Sequence, residues 1–128
     1  MELVDFLNVF SRVPDHAQSP RNHGPLKDFN GHARITGPCG DTMEFYISAQ
    51  NDKIEHIGFT TTGCGTSHAA GSMATCIAKS NSIGDALNLQ QKDILDALGG
   101  LPKENEHCAL QAANTLKAAC EDYLSHKN

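Results

Sequence analysis

Three of the five cysteines in the sequence stand where a thiolate could bind a metal ion. Cys39 lies in Gly-Pro-Cys-Gly-Asp41, Cys64 in Gly-Cys-Gly, and Cys108 directly follows His107. Glycine lets the backbone approach a bulky ligand and point N–H groups at sulfur, and a helix N-terminus lowers the pKa of a nearby thiol. These contexts suit a thiolate that binds a metal ion.

The other two cysteines, Cys76 and Cys120, lie among apolar residues of predicted helices, and we expect both to be small buried packing residues. An odd number of cysteines argues against a disulfide framework. The spacing of the first three matches no compact zinc signature, so the pattern alone leaves open a shared metal site and scattered structural cysteines. Six further histidines have no motif support and are expected at the surface: His16, His23, His32, His56, His68 and His126.

Four motifs, in this order, resemble the U-type iron–sulfur scaffold family, which comprises IscU and the N-terminal domain of NifU. Ser19-Pro-Arg-Asn-His-Gly24 is similar to the family's Asn-Pro-Arg-Asn-x-Gly loop, and the other three surround Cys39, Cys64 and Cys108. The similarity runs over about residues 3–124. It implies a scaffold, not an enzyme, that receives sulfur from a cysteine desulfurase, combines it with iron and passes the cluster to apo-proteins.

Carried over by motif position, the resemblance implies that Cys39, Cys64 and Cys108 bind the cluster. It also implies that Asp41 and His107 compete as the fourth ligand and that Cys108 accepts the persulfide sulfur. A permanent electron carrier usually has four thiolates, so one harder or weaker ligand suits a cluster that must be released. A [2Fe–2S] cluster is the expected cargo, and the same donors would also hold Zn²⁺ tetrahedrally.

The stretch Leu101-Pro-Lys-Glu-Asn-Glu106 departs from the family pattern. Bacterial and mitochondrial members carry Leu-Pro-Pro-Val-Lys there, where a dedicated Hsp70-type chaperone binds. This chain lacks the second proline and the valine, which argues against dependence on such a chaperone.

Two alternative functions remain. A zinc-binding sulfur acceptor of the SufU type resembles this chain, but that branch typically has an insertion before the last cysteine and lacks the histidine that is His107 here. A hydrolytic enzyme with a cysteine nucleophile has no supporting motif, although a pair of Cys64 with His107 stays geometrically open. Consecutive helical residues point about 100° apart, so we expect the side chains of His107 and Cys108 to diverge.

Composition limits the classes of function. The formal charge of −5 argues against a nucleic-acid partner, and no apolar stretch approaches the length of a membrane span. The acidic start lacks the order of a signal peptide, so a cytoplasmic location is expected. With 128 residues, of which 39% are hydrophobic, the chain is expected to form one domain over residues 1–128. The oligomeric state, including a homodimer, stays open.

Hydrophobic periodicity indicates which elements position these residues. A helix is predicted over 2–12, ended by Pro14, and an irregular loop over 14–30. Alternating apolar residues predict an antiparallel meander of three strands over 32–36, 42–49 and 53–62. Further helices are predicted over 67–79, 83–88, 90–98 and 103–124. The sequence thus predicts an α+β fold: a three-stranded antiparallel sheet with helices on one face, an N-terminal helix and a long C-terminal helix.

Overall fold

The computed structural model describes residues 13 and 15–127, so the helix predicted over 2–12 lies outside the described residues. Three antiparallel strands form one sheet in the order β1 (Gly31–Thr36), β2 (Thr42–Gln50) and β3 (Lys53–Thr61). Alternate residues of β2 face the core, since Met43, Phe45 and Ile47 have no exposed surface. The predicted meander is confirmed.

The pairing of β2 with β3 contains a bulge that the alternation of the sequence does not reveal. Ser48 pairs with His56 and Ala49 with Ile54, so that Glu55 lies opposite no residue of β2. An extra residue reverses the inward and outward alternation along the strand. Ile54 and Ile57 are therefore both buried although they lie three positions apart.

The helices follow the sheet in the chain. They are α1 (Gly65–Ala78), α2 (Ile83–Leu87), α3 (Gln91–Leu98), a 3₁₀ turn (Lys103–Asn105) and the long α4 (Glu106–His126). α4 packs across β1 and β2, and α1 packs against β3 and α4. The α+β class is confirmed. Within the described residues, no helix has both the length and the apolar character to cross a membrane.

The N-terminal region differs from the prediction, because residues 13 and 15–18 are helical where an irregular loop was expected from residue 14. His16, expected at the surface, is only 8% exposed, and its Nδ1 lies 2.6 Å from the hydroxyl oxygen of Ser72. Burial lowers the pKa of His16. This contact with α1 outweighs the local signal for a loop.

Cys76 is exposed, so the prediction that it is a buried packing residue was wrong. The face of α1 that is buried under the N-terminal loop is polar instead. The Ser72 hydroxyl accepts the backbone N–H of Arg21 at 2.8 Å, and the Thr75 hydroxyl accepts Asn22 Nδ2 at 3.0 Å. Because Ser72 and Thr75 make these hydrogen bonds, they lie on the buried face of α1, and the thiol of Cys76 is exposed to solvent.

Gly71 lies where α1 packs against the ring of Phe59 in the sheet. A Cβ at this position would lie 2.4 Å from the ring of Phe59. We expect Gly71→Ala to lower the free energy of unfolding by about 1–3 kcal/mol, because the buried ring must shift. Chemical denaturation measures the change. Gly84→Ala on α2 is the matched control: its nearest neighbour would be 3.8 Å away, so this variant should be neutral or slightly stabilising. Equal stability of both variants would contradict the packing account.

Candidate metal and cluster site

The three predicted cysteines lie near one end of the sheet, each on a different segment of the chain. Cys39 lies in the turn between β1 and β2, and Cys64 lies between β3 and α1. The antiparallel register places these two connections side by side, since the N–H of Thr62 donates to the carbonyl of Thr42 at 2.9 Å. Cys108 reaches the same end from the first turn of α4.

The turn that carries Cys39 is closed by its own backbone. The N–H of Gly37 donates to the carbonyl of Asp41 at 2.8 Å, and the N–H of Gly40 donates to the carbonyl of Gly37 at 3.0 Å. Gly40 has a φ of +90°, a conformation that favours glycine. The exposed thiol of Cys39 is thus presented on a tight, defined turn.

Cys39 contacts both of the predicted non-cysteine ligands. Its Sγ lies 3.6 Å from Oδ2 of Asp41 and 3.6 Å from Nε2 of His107. A sulfur and an oxygen or nitrogen bound to one tetrahedral zinc ion lie about 3.5–3.7 Å apart, as bond lengths of about 2.3 Å and 2.0–2.2 Å require. Each pair is therefore already at a separation compatible with a shared ion.

Gln111 anchors this turn to α4 and is a residue that the sequence reasoning missed. Its side-chain amide donates to the carbonyl of Asp41 at 2.8 Å and to that of Ile35 at 3.2 Å. Gln111 is 8% exposed, on the same helix as His107. No local signal identified it, since a glutamine on a helix is ordinarily exposed.

Cys64 is exposed at the N-terminal end of α1, and its pKa is lowered from the usual value for a thiol. The largest cause is the hydroxyl of Thr66, whose oxygen lies 3.0 Å from Sγ, followed by the backbone N–H of Thr66. Hydrogen bonds to the charged form favour the thiolate. The thiolate form of Cys64 is therefore favoured, which agrees with the expected effect of a helix N-terminus on its pKa.

Cys108 is almost fully buried, with 1% of its surface exposed. Its Sγ lies 3.4 Å from the hydroxyl of Ser67, 3.5 Å from that of Thr66 and 3.8 Å from Nε2 of His107. The expectation that the side chains of His107 and Cys108 diverge was wrong, because the long imidazole side chain reaches back to the sulfur. Thr66 contacts both Cys64 and Cys108, and the sequence reasoning missed both hydroxyls.

Gly63 allows Ser67 and Asp41 to lie close to the backbone that precedes Cys64. A Cβ on Gly63 would lie 2.3 Å from the hydroxyl of Ser67 and 3.1 Å from Oδ2 of Asp41. The candidate ligands contact one another in pairs, and they do not all surround one point. Among residues 13 and 15–127, no three His, Cys, Asp or Glu side chains are grouped so that they could hold a metal ion as they stand. Binding by all the predicted ligands requires side-chain rotation.

Cys120 is fully buried on α4, and burial raises its pKa to about 12. A thiol in this environment stays protonated and packs as a small apolar residue. The prediction for Cys120 is confirmed.

We expect Thr66→Val to raise the pKa of Cys64, because the substitution removes the hydroxyl that stabilises the thiolate. At neutral pH, Cys64 should then be alkylated more slowly by iodoacetamide, with the midpoint of its pH–rate profile at higher pH. Mass spectrometry of each cysteine peptide measures the rates. Cys76, exposed on α1, is the internal control, and its profile should not move. An unchanged profile for Cys64 would show that the hydroxyl does not activate it.

A three-stranded antiparallel meander covered by helices, with three cysteines near one end of its sheet, defines a small α+β domain. The family model of the NifU-like N terminal domain matches residues 10–128, and the chain belongs to that family.

The relatives with curated names support this assignment. The chain is 46% identical over 116 residues to the iron–sulfur cluster assembly scaffold protein IscU of Aquifex aeolicus, covering 88% of this chain and 74% of the relative. It is 43% identical to a protein of the same name from Archaeoglobus fulgidus, with the same coverage. A Drosophila melanogaster relative, 39% identical over 87% of this chain and 75% of its own length, is named an iron–sulfur cluster assembly enzyme.

Solved structures show the same fold. A NifU-like N-terminal protein from Brucella abortus aligns with a TM-score of 0.72 over 94% of this chain and 98% of its own, at 13% identity. A SUF-system scaffold protein from Fervidobacterium islandicum aligns with a TM-score of 0.69 over 89% and 98%, at 17% identity. At these identities the likeness concerns the fold alone.

Proposed function

We propose that this chain is a scaffold on which an iron–sulfur cluster is assembled and from which the cluster passes to apo-proteins. The observation that carries the proposal is the set of contacts at the end of the sheet, where Cys39 meets both Asp41 and His107, and His107 meets Cys108. The names of the curated relatives agree with this assignment.

The donor set suits a cluster that is cargo rather than a resident cofactor. Cys39, Cys64 and Cys108 supply the soft thiolates that iron–sulfur clusters require. Asp41 supplies a hard oxygen and His107 an imidazole nitrogen, and either is a weaker partner for a cluster iron than a fourth thiolate. A [2Fe–2S] cluster fits this number of ligands, and the weak position is where the site opens for release.

The proposed sulfur donor is a cysteine desulfurase. The thiolate of Cys108 attacks the terminal sulfur of the persulfide on the desulfurase, so that the new persulfide forms on Cys108 and the thiolate of the donor leaves. Cys108 is buried between the starts of α1 and α4. This transfer therefore requires these two helix ends to separate, and the contacts of Thr66 and Ser67 with Cys108 must break.

Anaerobic reconstitution tests the proposal. Incubation of the purified protein with ferric iron and sulfide should give a brown protein with visible charge-transfer absorption, and iron and acid-labile sulfide in equal amounts. A zinc-binding sulfur acceptor would stay colourless and keep zinc. A sample that takes up zinc but never forms the brown species would contradict the proposed function.

A dedicated Hsp70-type chaperone is not among the proposed partners. The segment that replaces the chaperone motif forms a 3₁₀ turn over Lys103–Asn105, and the side chains of Lys103 and Glu104 are exposed. We expect no binding to such a chaperone at micromolar concentrations and no stimulation of its ATPase. The matched variant Lys103→Pro, Glu104→Val, Asn105→Lys rebuilds the motif and should gain binding in the same calorimetric titration. Micromolar binding of the unmodified chain would overturn the expectation.

A further inference from the structure

Two histidines outside the three-cysteine site lie side by side on the surface. The ring centroids of His23 and His68 are 5.1 Å apart, with an angle of 66° between the ring planes. His23 belongs to the loop before β1, and His68 lies in the first turn of α1, four residues after Cys64. The proposed scaffold function uses neither residue.

The loop that carries His23 is fixed to the core. The N–H of Phe59 donates to the carbonyl of Asn22 at 3.1 Å, and the N–H of Gly24 donates to the carbonyl of Phe59 at 2.7 Å. Gly58 makes this approach possible, since a Cβ there would lie 2.4 Å from the carbonyl oxygen of Gly24. The backbone on both sides of His23 is thus held against β3, beside the start of α1.

The hydrogen bonding of His68 leaves one nitrogen available as a ligand. Nδ1 lies 3.0 Å from the carbonyl oxygen of Cys64, and because a carbonyl only accepts, Nδ1 carries the proton in this bond. The lone pair of the neutral ring is then on Nε2. Metal-binding histidines commonly donate their other ring N–H to a backbone carbonyl in this way. His23 is exposed, its ring lies 5.3 Å from that of Phe59 between centroids, and no described residue makes a hydrogen bond to its ring nitrogens.

We propose that His23 and His68 together bind a divalent transition-metal ion at a second site, next to Cys64 and independent of the three-cysteine site. Two imidazoles that share one ion have centroids about 5 Å apart, given metal–nitrogen bonds of about 2.0–2.1 Å. Imidazole suits zinc, nickel, copper and iron ions. No third His, Cys, Asp or Glu completes the set in the described part of the chain, so water fills the remaining positions. The site is accordingly weaker than the one formed by thiolates.

Zinc titration of the purified, cluster-free protein tests this proposal, with bound metal counted by equilibrium dialysis and calorimetry. The wild type should bind one tight and one weaker equivalent. His23→Ala and His68→Gln should each weaken the second equivalent by about tenfold or more while the tight one stays. His126→Ala, which removes an exposed histidine at the end of α4, is the matched control and should bind as the wild type does.

A double variant separates this inference from the proposed function. Cys39→Ser combined with Cys108→Ser should lose the tight equivalent and retain the weaker one. A weaker equivalent that persists unchanged in both His23→Ala and His68→Gln, or a wild type that binds only one zinc, would overturn the second site. Neither outcome would argue against the three-cysteine site. That site is tested separately, by whether the double cysteine variant loses the tight zinc equivalent.

Discussion

Each of the variants Cys39→Ser, Cys64→Ser and Cys108→Ser should retain roughly a tenth or less of the wild-type amount of cluster after anaerobic reconstitution. Serine keeps the size of the side chain but offers a hard hydroxyl oxygen in place of a soft thiolate. Bound iron and acid-labile sulfide measure the loss. The effect should be large at all three positions because, in the proposed site, each loss leaves only two thiolates.

The two remaining cysteines are the matched controls for this experiment. Cys76→Ala removes an exposed thiol from α1 and should change neither cluster content nor stability. Cys120→Ala leaves a small cavity in the core and should lower the free energy of unfolding by about 1 kcal/mol while cluster assembly stays intact. Equal loss of cluster in all five variants would mean that the assignment of ligands is wrong.

Asp41→Ala should slow the loss of the cluster in air and its transfer to an apo-ferredoxin, each on the order of tenfold. Oδ2 of Asp41 lies 3.6 Å from Sγ of Cys39, so its carboxylate places a negative charge and a hard oxygen beside the thiolates. Removal of that group favours a closed arrangement in which His107, which also contacts Cys39, occupies the fourth position.

Two decay curves of visible absorbance, one with and one without the acceptor, measure this effect. Asp96→Ala, which removes an exposed carboxylate from α3, is the control for a change in net charge and should behave as the wild type does. A faster loss of cluster from Asp41→Ala would identify Asp41 as a stabilising ligand. Release would then have to begin at His107 or be driven by a partner.

Strand positions and the long apolar stripe of α4 were predictable because each depends on a local period. Met43, Phe45 and Ile47 alternate along β2, and Leu116 and Cys120 recur at helical spacing, and all of them are buried. The bulge at Glu55 was not predictable, since it depends on how β3 pairs with β2 rather than on β3 alone. Alternation identifies a buried face only as far as the register stays regular.

The motifs identified the three candidate thiols, whereas sequence reasoning missed the hydroxyl groups that contact two of them. Thr66 and Ser67 reach Cys108 only because α1 and α4 begin side by side, and this approach joins residues about forty positions apart in the chain. Their hydroxyls, placed directly after Cys64, were a local signal that could have been used. Cys76 was wrongly placed because the hydroxyls of Ser72 and Thr75 bond to the N-terminal loop and take the buried face of α1.

Direct cluster transfer is the measurement that tests the proposed scaffold function most directly. The reconstituted protein is mixed anaerobically with an apo-ferredoxin in the presence of a chelator that captures free iron, and the ferredoxin spectrum is followed after separation of the two proteins. The proposed function predicts that the ferredoxin gains its cluster at the same rate with and without the chelator, while the scaffold loses an equal amount. If the ferredoxin stays in the apo form and the iron appears in the chelator, the chain does not hand on an intact cluster.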